Sequence, residues 1–124
     1  YLKINNIDFI CEDFLKKDFK GDKFDIIFSL ANHSTFDKGI ENTKEYFLKV
    51  FSLLKQDGIL IFESHHPQYE NVEKFNKIKE SLLKFFTIQK EGIYETKNFF
   101  DNGRRYLFLK TKDNFLDNYS NFNL

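Results

Sequence analysis

Two apolar runs, Phe24-Asp25-Ile26-Ile27-Phe28-Ser29 and Gly58-Ile59-Leu60-Ile61-Phe62-Glu63, flank a segment with helical periodicity. Runs this continuous belong to strands covered on both faces, because half-exposed strands alternate apolar and polar side chains. Parallel strands need a crossover of about a dozen residues or more, usually a helix. The stretch from Phe24 to Glu63 therefore predicts a β-α-β unit. In open α/β sheets the ligand lies beyond the carboxyl ends of the strands, at a topological switch point. Two places satisfy that rule: Ser29-Leu30-Ala31-Asn32-His33 after the first run, and Ser64-His65-His66-Pro67 after the second.

The remaining elements follow from local signals. Asn6 to Cys11 reads as a short strand ending at the acidic pair Glu12-Asp13. Phe14 to Phe19 is too short for a stable helix and predicts a turn, broken by Gly21-Asp22. Asp37 is the expected N-cap of the crossover helix, with Glu41 and Glu45 opposing its positive end. Tyr46, Phe47, Val50, Phe51 and Leu54 recur at helical spacing and predict its buried face. Asp57-Gly58 is expected to close it, with Gly58 in the left-handed conformation.

Pro67 breaks the chain after the second strand. Asn71 to Phe85 predicts a second amphipathic helix, carried by Val72, Phe75, Ile78, Leu82 and Phe86 at three- and four-residue steps. Ile88 to Phe100 and Arg105 to Leu109 then read as a hairpin turning at Asp101-Asn102-Gly103. The predicted class is α/β: a mostly parallel sheet finished by an antiparallel hairpin. Residues 1–112 form one domain in this reading, and 113–124 a terminal helix or loose tail.

The chain has 124 residues and a formal net charge of +0, with acids and bases interspersed. No basic stripe points to nucleic acid. No apolar run approaches the ~20 residues of a membrane span, and no signal peptide is visible, so a soluble cytoplasmic protein is expected. Cys11 is the only cysteine, which excludes an intrachain disulfide, and its apolar neighbours Phe9 and Ile10 predict a buried thiol. The sequence opens at Tyr1 and contains no methionine, as expected of a piece of a longer protein.

The order and spacing of these segments resemble class I S-adenosylmethionine-dependent methyltransferases. The run from Phe24 to Ser29, the helix end Leu53-Leu54-Lys55-Gln56-Asp57-Gly58, and the run from Ile59 to Glu63 look like that family's fourth strand, helix end and fifth strand. Ile10-Cys11-Glu12-Asp13-Phe14 resembles its third strand and acidic turn, and the hairpin its reversed last strand. The likeness covers about Ile7 to Lys110. It implies a Rossmann-like methyltransferase sheet, of which this chain is the carboxyl-terminal part. The family's Gly-rich turn is absent: the glycines at 21, 39, 58, 92 and 103 are scattered.

The resemblance implies S-adenosyl-L-methionine as cofactor. It makes Asp13 the contact to the adenine amine and the Phe14 backbone N–H a donor to the ring; a plain turn cap is the alternative for Asp13. By the same resemblance Ser29, Leu30 and Ala31 pass close to the reactive methyl group. Asn32 and His33 follow, and an imidazole with a pKa of about 6.5 can take a proton from an attacking hydroxyl or amine. His33 is thus the candidate base, unless it merely bonds its own loop.

Asn32, His65 and His66 are candidate substrate contacts. Adjacent residues of an extended chain point to opposite sides, so His65 and His66 do not share an ion and no metal site is predicted. Tyr69, Tyr94 and Arg105 are further substrate-side candidates, with packing or exposure as the plainer reading.

The expected function is methyl transfer to O or N of a small molecule, a sugar or another metabolite, the chain alone being inactive. The loop after Ser29 lacks the Asn/Asp-Pro-Pro-Tyr-type sequence that accompanies base and amide N-methylation in that family. Two alternatives stand beside it: a non-catalytic methyltransferase-like binding or assembly module, and the carboxyl half of an NAD(P)-dependent oxidoreductase. The chain alone is expected to self-associate through an exposed sheet edge or to be partly molten, because two strands and their helices are missing from it.

Overall fold

The computed structural model describes residues 6–31, 40–64, 72–94 and 103–124, with only the backbone of 40–42. The elements run β1 (Phe24–Leu30), α1 (Ile40–Ser52), β2 (Leu54–Glu63), α2 (Val72–Leu82), β3 (Phe86–Tyr94), β4 (Arg104–Thr111) and α3 (Phe115–Asn118). A 3-10 turn, Tyr119–Asn121, follows α3.

The sheet order is β1-β2-β4-β3. β1 pairs parallel with β2, and β4 lies antiparallel to both β2 and β3. Three strands therefore share one direction and the last strand is reversed, inserted between β2 and β3. This is the expected mostly parallel sheet with an antiparallel hairpin.

One helical layer supplies the core. Phe51 of α1 meets Phe86 at 5.3 Å, Phe115 at 5.9 Å and Phe122 at 5.1 Å between ring centroids. Phe47, one turn earlier, meets Phe62 of β2 at 5.5 Å, and Phe62 stacks on Phe75 of α2 at 6.0 Å. The sheet contributes Leu60, Leu107 and Leu109, each 1% exposed or less. Residues 113–124 are not a loose tail, since Phe115 and Phe122 are each 1% exposed inside this cluster.

Several expectations are corrected. Residues 6–11 form no strand, and Ile7, Phe9 and Ile10 are exposed, because no described strand lies beside them to complete a ladder. Cys11 is exposed with them. α1 ends at Ser52, and Leu54 already belongs to β2. The left-handed residue is Asp57 (φ 64), inside a register shift of β2 against β1, and Gly58 is needed for another reason. A Cβ there would lie 2.7 Å from both Leu54 Cγ and the Lys55 carbonyl oxygen.

Val72 is exposed and begins α2 outside its buried stripe. The described part of β3 runs to Tyr94, paired with Arg104, while residues 95–100 of the expected strand and Asp101-Asn102 of the expected turn lie outside the described residues. The expected N-cap Asp37 lies outside the described residues.

Among the described residues nothing covers one face of β1, where both faces were expected to be covered. Ile26, Phe28 and Leu30 of β1 are 50%, 61% and 52% exposed. The register places Phe28, Ile61 and Phe108 in one row across three strands on that side. The described helices pack on the other face, against Ser29, Phe62 and Leu107.

Two substitutions check this account by denaturant unfolding. Phe51→Ala, at the hub of the aromatic cluster, is expected to cost about 3–5 kcal/mol. Gly58→Ala forces Leu54 or the Lys55 carbonyl aside and is expected to cost about 1–3 kcal/mol.

Candidate functional site

β1 and β2 end together. Leu30 pairs with Glu63, and the Ala31 backbone N–H donates to the Glu63 carbonyl at 3.4 Å. The chain thus leaves both strands at one rim, as the strand-end rule requires. Asn32, His33, His65 and His66, which continue from these ends, lie outside the described residues, as does Tyr69. Ala31 takes φ 55 at the moment of leaving β1. A left-handed residue with no polar side chain to support it costs of order 1 kcal/mol, and such residues gather where a chain must shape a ligand seat.

Asp13 and Phe14 are tied to that rim through α1. The Phe14 ring packs 5.5 Å from Tyr46, and the Tyr46 hydroxyl lies 2.8 Å from Ser29 Oγ, both residues being buried. Lys49, one turn on, donates to the Lys17 carbonyl at 2.7 Å and sits 5.4 Å from the Phe19 ring. One helix therefore holds the acidic turn on one side and the end of β1 on the other. Leu30 is half-exposed beside them.

Asp13 does cap its turn: Oδ1 accepts from the Leu15 N–H at 3.0 Å, and its carbonyl accepts from Lys16 and Lys17. Oδ2 is 3.4 Å from the exposed Lys16 ammonium. An ionised carboxylate has about four acceptor positions, so capacity for a ligand amine is left. Glu12 pairs with Lys17 at the surface. This side offers an accepting carboxylate with spare capacity, a small strand end and a left-handed Ala31, a combination compatible with the adenosyl part of a nucleoside cofactor.

Beyond β2 the rim is charged. Arg104 Nη1 donates to Glu63 Oε1 at 2.9 Å, with Glu63 8% exposed. Ser64 N–H donates to the Arg105 carbonyl at 2.8 Å, and the Arg105 N–H to Ser64 Oγ at 2.9 Å. Among the described residues no group of three or more His, Cys, Asp or Glu is placed to hold a metal. No helix among them is long and apolar enough to cross a membrane.

Two of these links were legible but unread. Tyr46 is the one hydroxyl-bearing ring on a face otherwise of Phe and Val, and a buried tyrosine needs a partner. Consecutive Arg104 and Arg105 on a strand must serve opposite faces.

This arrangement, parallel strands ending at one rim, an acidic turn beside it and a reversed last strand, defines a Rossmann-like methyltransferase sheet. The chain belongs to a methyltransferase-domain family, whose model matches residues 1–109. Among solved structures it is similar to the N-methyltransferase NodS from Bradyrhizobium japonicum WM9 in complex with S-adenosyl-l-homocysteine. The TM-score is 0.66 at 12% identity, over 82% of this chain and 53% of that one. It is also similar to a TehB-like SAM-dependent methyltransferase from Corynebacterium glutamicum ATCC 13032 Kitasato, with TM-score 0.57 and 12% identity over 83% and 55% of the two chains. The chain thus spans about half the length of these neighbours, and the likeness establishes the fold. No curated protein matches the sequence.

Tyr46→Phe keeps the ring contact and removes the hydroxyl beside Ser29, an expected loss of about 1 kcal/mol in thermal unfolding. Tyr46→Ala releases the acidic turn as well, seen as faster hydrogen exchange at the Leu15 and Lys17 amides. Ala31→Gly relieves the left-handed residue and is expected to gain roughly 0.5–1 kcal/mol.

Proposed function

We propose that this chain works as part of a cytoplasmic S-adenosylmethionine-dependent methyltransferase acting on O or N of a small molecule. The observation that carries the reading is the link from Asp13-Phe14 through Tyr46 to Ser29, which sets the acidic turn beside the shared rim of β1 and β2. Both solved neighbours named above are methyltransferases, and neither is an oxidoreductase.

Asp13 would accept from the adenine amine, with the Phe14 N–H turned to the ring. Ser29, Leu30 and Ala31 would line the approach to the reactive centre. When bound, the cofactor would supply a methyl group on a positively charged sulfur for transfer to the acceptor. Positioning of the acceptor supplies much of the rate in such an in-line step.

His33 would take the proton that the acceptor releases, while Asn32, His65 and His66 hold the acceptor. The balanced charge supports a small acceptor, a sugar or other metabolite, over a nucleic acid, which calls for a basic surface.

Self-association of the 124-residue chain belongs to the same reading. β1 is an edge strand without Lys or Pro to block pairing. Antiparallel pairing of two copies about Ile27 would set Ile26 against Phe28 and Asp25 against Ser29, so no like charges would meet.

Calorimetric titration of the full-length protein tests the function. S-adenosylhomocysteine should bind and NAD should not, and Asp13→Ala should weaken the binding about tenfold. Binding of neither ligand would instead favour a non-catalytic module. In turnover assays, His33→Ala is expected to lower kcat about 10²-fold with cofactor affinity unchanged; an unchanged kcat removes His33 from the mechanism.

A further inference from the structure

Arg104 and Arg105 leave β4 on opposite faces and meet different fates. Arg104 is neutralised by Glu63. Arg105 turns to the helical face, where its guanidinium carbon lies 5.9 Å from the Phe75 ring centroid. Among the described residues it has no carboxylate partner.

The cleft around it lies between α2 and the β3–β4 pair, lined by Phe75, Asn76, Lys79, Glu91, Arg105 and Tyr106. Lys79 and Glu91 form an ion pair across it and cancel. The charge left over is that of Arg105.

Position matters as much as charge. The two hydrogen bonds between Arg105 and Ser64 place the cleft beside the carboxyl end of β2, on the rim described above. It lies two inter-strand steps from β1, about 10 Å from the strand that carries Ser29 and Ala31. The adenosyl side and the Arg105 side are thus separate stations on one rim. A guanidinium resting on an aromatic ring is held in orientation, is weakly hydrated, and keeps its N–H edges for a planar or tetrahedral anion.

We propose that the Arg105 cleft binds an anionic group, a carboxylate or a phosphate ester, on the methyl acceptor. Arg105 is then a specificity-determining residue and Phe75 the positioning residue beneath it. The assignment to the acceptor rests on the methyl-transfer reading; the anion site itself does not.

The test has two arms, both in the full-length protein. Inorganic phosphate and, separately, acetate are titrated while the Arg105 side-chain N–H resonance is followed by NMR. A saturable shift, weakened in Arg105→Lys and accompanied by loss of the Phe75 ring response in Arg105→Gln, is expected. The tighter of the two probes names the group. No saturable shift, or a Phe75 response unchanged in Arg105→Gln, overturns the site.

In the second arm, methyl transfer is compared between an anionic acceptor and its neutral analogue. Arg105→Gln should raise KM for the anionic acceptor about ten- to a hundredfold. The neutral acceptor and the affinity for S-adenosylhomocysteine should be unaffected. Equal KM changes for both acceptors overturn the acceptor assignment. Failure of the wild-type protein to bind S-adenosylhomocysteine would refute methyl transfer, and with it that assignment, while the phosphate arm still decides the anion site.

Discussion

The parallel pairing of β1 with β2 is the constraint on which everything else in this molecule depends. Its register, Ile27 to Leu60 through Leu30 to Glu63, makes the two strands stop at the same height. Parallel strands cannot be joined by a hairpin, so the chain must cross over through α1. That crossing brings Tyr46, Phe47 and Phe51 down onto one face of the sheet. The aromatic cluster then follows from the crossover helix: Tyr46 meets Ser29 near the end of β1, Phe47 meets Phe62 near the end of β2, Phe51 meets Phe86 at the start of β3, and Phe47 and Phe51 both meet Phe122.

The same constraint explains why the core is one-sided among the described residues. Helices α1 and α2 both leave the carboxyl rim, and both pack on the face that carries Leu60, Phe62 and Leu107. Side chains of opposite parity, Ile26, Phe28 and Leu30, are as apolar as those inside yet half-exposed or more. An apolar face of that composition is costly in water, at roughly 25 cal/mol for each Å² left uncovered. The β1 sequence is therefore written for a strand with neighbours on both faces, which is why its apolar run was so continuous.

Much of this was legible in the sequence because two periods stand side by side in it. The uninterrupted apolar runs gave β1 and β2, and the three- and four-residue steps of Tyr46, Phe47, Val50 and Phe51 gave α1. What was not legible depended on contacts between distant segments. Residues 6–11 have strand propensity, but a strand exists only with a partner. Asp57-Gly58 was correctly marked as special, but the positive φ falls on Asp57 and not on Gly58, because composition cannot separate a need for positive φ from a need for space beside Leu54. The burial of Phe115 and Phe122 was hidden in an Asn- and Asp-rich context that reads as a tail. At the site, the rim and the acidic turn were visible; the Tyr46 bridge that connects them was not, because it spans three separate elements.

Charge is distributed along the rim in a way that would suit the proposed methyl transfer between two ligands. On the β1 side the acidic turn carries the Asp13 carboxylate, the proposed acceptor for an amine. On the β4 side it is the Arg105 guanidinium, which can receive an anion. Between them Glu63 and Arg104 neutralise each other on the opposite face and contribute little net field to either station. Both stations are fixed by hydrogen bonds to the backbone: Asp13 by the turn its side chain and carbonyl cap, and Arg105 by its reciprocal bonds with the Ser64 N–H and Oγ. A reaction whose rate comes largely from alignment needs that kind of fixity more than it needs a strong base, because a displacement of about 1 Å in the approach can cost about a hundredfold. On the proposed reading the sheet register would matter at a distance: by making two strands end together, it fixes the rim on which the two proposed sites lie.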